Sequence, residues 1–102
     1  MTKPLDLISN VRDTYKTALE IVERKNADYA TQADPFANFR TANVLGLSVE
    51  KGILVRTLDK IMRVNNLLEH EAYVTEESME DTLTDAINYL ALLKAYRELG
   101  RK

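Results

Sequence analysis

With 102 residues, 45% hydrophobic and 29% charged, the chain is expected to form one folded domain spanning residues 1–102, which argues against disorder. It contains no cysteine, so disulfides and thiolate metal sites are excluded and a cytoplasmic setting is expected. The formal net charge of −2 gives no general pull towards long nucleic acid or anionic lipid, and no apolar run reaches the ~20 residues of a membrane span.

Pro4 is suited to the first turn of a helix, where its missing N–H would be unpaired anyway. Ile8, Val11, Tyr15, Leu19 and Val22 follow at helical spacing and predict one apolar stripe. The pattern fades at Lys25-Asn26-Ala27-Asp28, and Asp34-Pro35 prevents continuation because the residue before proline is pushed out of helical geometry. A short helix is expected after Pro35, running to about Leu45 and ended by Gly46. Ser48 is the expected N-cap of the next helix, with Glu50 in its first turn, extending to about Glu71 across Gly52. Leu54, Leu58, Ile61 and Leu68 form its expected core line, on which Asn65 is an anomaly. Thr75 caps the last helix, with Glu76 and Glu77 in its first turn, and Gly100 stops it after Leu99. The expected fold is all-α, a small helical bundle of three long helices plus one short helix.

The last helix departs from a plain bundle. Met79, Leu83, Ala86, Leu90 and Leu93 make an ordinary core face. Asp81, Asp85 and Asn88 line the opposite face at i, i+4 and i+7, and that stripe turns apolar as Leu92, Ala95, Tyr96 and Leu99. Such a helix is expected to pack on both sides, placing the two aspartates at the mouth of an interface. Partly desolvated carboxylates one turn apart repel unless a cation or donors lie between them. Mg²⁺ or basic side chains would serve, and two solvated carboxylates are the plain alternative.

The preceding helix clusters Arg56, Asp59, Lys60 and Arg63, three cations and one acid within eight residues. Arginine grips phosphate with paired hydrogen bonds. The competing reading is a surface salt-bridge ladder, worth about 0.3–0.5 kcal/mol per pair. The connection before Pro35 is long for a helix–helix link, and such loops are often functional. Around it Tyr29, Phe36 and Phe39 offer flat apolar faces, Asn26 and Asn38 offer paired donors and acceptors, and Lys25, Asp28 and Arg40 add charge. The aromatics would equally plug the end of the bundle. His70 is the single histidine, which disfavours zinc and serine–histidine chemistry, and no Gly-rich phosphate loop is present.

The blocks Lys25-Asn26-x-Asp28-Tyr29, Asp34-Pro35-Phe36-x-Asn38-Phe39, Arg56-x-x-Asp59-Lys60-x-x-Arg63 and Glu77-Ser78-x-x-Asp81-x-x-x-Asp85-x-x-Asn88-Tyr89 resemble the nucleotide-modification-associated domain 1 family, small proteins common in bacteriophages. The resemblance runs from about Lys25 to Tyr96 and implies a link to nucleotides. A more distant one is to the MazG-like all-α nucleoside triphosphate pyrophosphatases. Asp81, Asp85 and Tyr89-Leu90 are similar to their second acidic block. In the first block the chain keeps Asp59 but has Arg56 about where a metal-binding glutamate is expected.

Three functions are therefore in play. One is sequestration of a phosphorylated nucleotide, with Arg56, Lys60, Arg63 and Lys25 or Arg40 neutralising phosphates. Tyr29, Phe36 or Phe39 would stack on the base, Asn26, Asn38 or Asn88 would read its edge, and Asp81 and Asp85 would orient the arginines or accept from the ribose or base. In a phage-like setting, acting in the host cytoplasm against host defence, the ligand would be a cyclic or linear immune signalling nucleotide. No cofactor is needed for that role. The second is a Mg²⁺-dependent pyrophosphohydrolase, with Asp59, Glu77, Asp81 and Asp85 holding the metal. The third is a structural self-association module. A homo-oligomer, a dimer by default or higher, is expected under all three, because the last helix has more apolar surface than a lone small bundle can cover.

Overall fold

In the computed structural model, which describes residues 2–28, 34–70 and 76–100 (side chains at 27, 28 and 76–78 excepted), the regular elements are all helical. Helix α1 spans Pro4–Asp28, a 3₁₀ helix spans Ala37–Leu45, α2 spans Val49–Glu69 and α3 spans Glu76–Ala95. Three long helices and a short one are thus present, and no strand occurs among the described residues. The α-helical ladder of α3 gives way at Tyr96 to a π-helical turn, Tyr96–Gly100, where the sequence predicts helix to Leu99. Helix α2 ends at Glu69 with His70 as its C-cap, two residues before the expected Glu71, and the expected Thr75 cap lies outside the described residues.

The boundaries have local causes. The Asp34 carboxylate accepts a hydrogen bond from the Phe36 N–H at 3.0 Å, and Pro35 lies within that turn, so the chain enters the 3₁₀ helix already bent. Gly46 ends it at φ 77°, a left-handed conformation that favours glycine. Its N–H donates to Asn43 O, and Leu47 N–H donates to Ala42 O. Ser48 then caps α2, its hydroxyl accepting from the Lys51 N–H at 3.1 Å, a contact typically worth about 1 kcal/mol.

Helix α3 is the shared partner. It packs along α2 and, over a shorter stretch, against α1, while the 3₁₀ helix sits on α2. The core comprises Phe36, Phe39, Val49 and Ile53, with Tyr89, Leu92, Leu93, Ala95 and Tyr96 packed against it. Phe36 meets Tyr96 edge-on at 5.3 Å between centroids, and Phe39 meets Tyr89 at 6.2 Å. Helix α1 is anchored by buried Ala18, whose carbonyl accepts a hydrogen bond from the Asn88 side-chain amide at 3.2 Å.

Several expected core positions face outwards. On α1, Ile8, Val11, Tyr15 and Leu19 are exposed and Val22 is half-buried; the helix packs instead through Thr14, Ala18 and Ile21 on its flank. On α2 the line Leu54, Leu58, Ile61 and Leu68 is exposed, and Val49, Gly52, Ile53 and Thr57 are buried in its place. On α3 the assigned core face leaves Leu83 and Leu90 exposed, whereas the stripe continuing as Leu92, Ala95 and Tyr96 meets the core. Asn65 is exposed too, so it needs no partner inside the single chain.

Gly52 explains the choice on α2. A β-carbon there would stand 2.8 Å from Ala42 Cβ and 3.3 Å from the Phe39 carbonyl oxygen, so only glycine lets the 3₁₀ helix lie this close. Replacing Gly52 with alanine gains about 1 kcal/mol of helix propensity but incurs about 1–3 kcal/mol of overpacking against rigid atoms. Gly52→Ala is therefore expected to lower the urea midpoint of unfolding, and Gly52→Val to lower it further. A midpoint raised by the alanine substitution would contradict the close approach.

Candidate functional site

Two adjoining hollows lie where α2 and α3 meet the 3₁₀ helix. The first, of about 350 Å³, is walled by Val22, Lys25 and Asn26 from the end of α1 and by Pro35, Phe36, Asn38 and Phe39 from the turn and the 3₁₀ helix. Arg56 of α2 and Asp85, Asn88, Tyr89 and Leu92 of α3 complete it. The second, of about 540 Å³, is lined by Arg56, Asp59, Lys60, Arg63 and Asn66 of α2 and by Tyr89. Arg56 and Tyr89 belong to both, so a mostly apolar chamber and a basic one share two wall residues.

The shared arginine is held from two sides. One guanidinium nitrogen donates to the Asn38 carbonyl oxygen at 3.2 Å, and the guanidinium carbon lies 5.0 Å from the centre of the Phe39 ring. Arg56 nevertheless remains exposed, leaving N–H groups for a ligand. Lys60 pairs with Asp85 at 3.3 Å across the α2–α3 seam, with both side chains about a third exposed (29% and 34%). Among the described residues Arg63 has no ion-pair partner, so the second hollow keeps a positive lining despite Asp59.

Phe36 and Phe39 are 7% and 8% exposed. They are core side chains first, presenting only part of each ring to the first hollow, and the alternative that they plug the bundle's end describes their packing. Tyr89, half-buried and common to both hollows, is the aromatic that the sequence reading left out of the site; its signal was its place directly after Asn88. Val22, Pro35, Leu92 and Asn66 are further wall residues not singled out beforehand. Tyr29 and the side chains of Asp28 and Glu77 lie outside the described residues.

Arg40 and Asp81 line neither hollow. Asp81 is exposed, and Arg40 turns to Asp34, its Nε donating to the carboxylate, with the guanidinium 5.9 Å from the centre of the Tyr96 ring. The described carboxylates suit a divalent ion poorly. Asp85 is occupied by Lys60, Asp59 lines the second hollow, and no three His, Cys, Asp or Glu among the described residues converge on one point. No helix among them is long and apolar enough to cross a membrane.

Comparison with known protein families, with characterised proteins and with solved structures finds no match for the chain.

The Asp34–Arg40 pair stiffens the entry to the 3₁₀ helix, and its titration is measurable. The hydrogen bond from Arg40 holds the Asp34 carboxyl below its ordinary value of 3.8, helped by the Phe36 N–H and opposed by some desolvation. A depressed folded-state value means that the stabilisation is present above that ordinary value and is lost as pH falls through the lowered one. A carboxyl titration followed by NMR should find Asp34 below its ordinary value, and Arg40→Gln should return it towards that value. An Asp34 curve indifferent to Arg40→Gln would show that the pair does not persist in solution.

Proposed function

We propose that the chain binds and sequesters a phosphorylated nucleotide, with the base in the first hollow and the phosphates in the second. The observation that carries this reading is that the two hollows adjoin, with Arg56 and Tyr89 lining both. A nucleotide has the same two-part character, a flat and largely apolar base joined to a compact anion. The walls of Phe36, Phe39, Tyr89 and Leu92 suit the base, and the amides of Asn26, Asn38 and Asn88 suit its edge. Arg56, Lys60 and Arg63 suit phosphate oxygens, and Lys25 stands at the rim of the base chamber. Asp85 has the role of holding Lys60 in place.

The ligand proposed is a signalling nucleotide, linear or cyclic, captured in a host cytoplasm by a phage-type protein that is itself a homo-oligomer. That setting rests on the family resemblance of the Lys25–Tyr96 blocks. Sequestration is preferred over Mg²⁺-dependent hydrolysis because a cation already neutralises Asp85 and because Arg56, a cation, lines both hollows.

The test is incubation with pooled linear triphosphates and cyclic oligonucleotides, with and without Mg²⁺, followed by filtration and heat denaturation of the retained protein. A nucleotide lost from the filtrate and released intact supports sequestration. A monophosphate and pyrophosphate formed only with Mg²⁺ would replace it with hydrolysis, and no retention at all would leave a self-association module. For the retained nucleotide, Arg56→Ala is expected to weaken binding by about 10- to 100-fold, the loss of a charge-assisted contact of about 1.5–3 kcal/mol. Asp85→Asn frees Lys60 and is expected to leave affinity equal or higher. A large loss of affinity in Asp85→Asn would show that the carboxylate itself contacts the ligand.

A further inference from the structure

The single chain exposes far more surface than its mass warrants. Its accessible surface is 8052 Å², whereas a compact monomer of 11.6 kDa is expected to show about 5,800 Å². Its Cα radius of gyration is 15.8 Å, against about 13 Å for a compact domain of this length. Ala18, Phe36, Phe39, Val49 and Ile53 are the buried hydrophobic residues among those described, a small core for 102 residues. The excess, on the order of 2,000 Å² per chain, is the scale of an obligate interface rather than of a transient contact.

The outer face of α2 shows where such an interface lies. Leu54, Leu58, Ile61, Asn65 and Leu68 recur at intervals of four, three, four and three, the a/d spacing of a heptad, and all are exposed. Val55 and Met62, 48% and 52% exposed, widen the stripe at the position following the d residues Leu54 and Ile61. Three apolar positions in seven is the pattern of a helix facing the core of a bundle. Asn65 fits the same frame, because one polar residue at an a position fixes register and oligomer state at some cost in stability.

We propose that a second copy of this chain covers this outer stripe of α2 in an isologous dimer, with Asn65 setting the register. The proposal gives a surface to the self-association included in the functional reading and does not depend on the nucleotide. A second copy is the fitting occupant because the missing burial is needed for the fold itself, and a copy is present whenever the chain is. The geometry also sets the centre of this stripe apart from the arginines of the candidate site. At about 100° per residue, the inward stripe of Ile53, Thr57 and Val64 lies between the outer stripe on one side and Arg56, Asp59 and Arg63 on the other. Leu54, Leu58, Ile61, Asn65 and Leu68 are thereby centred nearly opposite Arg56 and Arg63 on the helix.

Sedimentation of the nucleotide-free chain is expected to give twice 11.6 kDa at micromolar concentration. Leu58→Glu with Ile61→Glu should weaken the dimer at least ~100-fold or unfold the chain, whereas Val44→Glu on the exposed 3₁₀ helix should leave it intact. Asn65→Leu should raise the melting temperature while yielding mixed oligomers. Because the chain has no cysteine, nitroxide labels at Met62→Cys and Val44→Cys give a reading that needs no disruptive variant. The label at 62 should be immobilised and the one at 44 mobile. A monomeric wild-type chain would overturn the proposal together with self-association. A dimer that keeps the label at 62 mobile and survives the paired glutamates would overturn the α2 seam alone.

Discussion

The contact between the 3₁₀ helix and α2 at Gly52 is the constraint on which the candidate site depends. With no side chain at 52, the Ala42 methyl and the Phe39 carbonyl come down onto the α2 backbone, and Phe39 lies beside Ile53, the most deeply buried residue of the described core. That placement sets the ring that Arg56 covers and the backbone carbonyl of Asn38 that Arg56 grips. The far wall follows from the same packing, since Tyr89 and Tyr96 of the last helix meet Phe39 and Phe36 edge-on. The chamber is thus the space left between an aromatic core and the end of α1.

Charge is distributed around α2 with a matching economy of position. Ile53 and Thr57 face inwards, Arg56 and Arg63 face the hollows, and Leu58 and Ile61 face outwards. One helix thereby supplies core, basic lining and an apolar outer seam, three roles kept apart by its 3.6-residue turn. Lys60 lies between the first two roles and ties α2 to α3 through Asp85. An ion pair this exposed contributes about 0.2–1 kcal/mol, so its main consequence is positional: it sets where the positive charge stands and keeps Asp85 from acting as a bare carboxylate.

The small buried core gives the exposed faces of α1 and α2 their meaning. Scattered apolar residues on a surface are ordinary, but a heptad stripe along one helix is not scattered. Were a second chain to cover those faces, folding and assembly would be one equilibrium. The basic residues Arg56 and Arg63 and the exposed apolar stripe of Leu54, Leu58 and Ile61 occupy different sides of α2.

Much of the local architecture was legible from residue chemistry alone. Pro4, the Asp34-Pro35 turn, the Gly46 stop and the Ser48 cap each act within a few residues of themselves, which is why the boundaries they mark agree with the helices observed. The clustering of Arg56, Asp59, Lys60 and Arg63 was legible for the same reason, since residues three and four apart on a helix must share a face. Which face of α1 and of α2 is buried was not legible. Periodicity shows that α2 has a strong apolar stripe at Leu54, Leu58, Ile61 and Leu68, but not what covers it. The chain buries the weaker stripe of Gly52, Ile53 and Thr57 because only there can the 3₁₀ helix approach. Tyr89 entered the site, and Arg40 and Asp81 left it, through contacts between elements far apart in the chain. The sequence by itself determined the helices and the chemistry each face carries, because those depend on neighbours along the chain. The tertiary structure decided which faces meet, because that depends on shape and close approach between segments that no local pattern records.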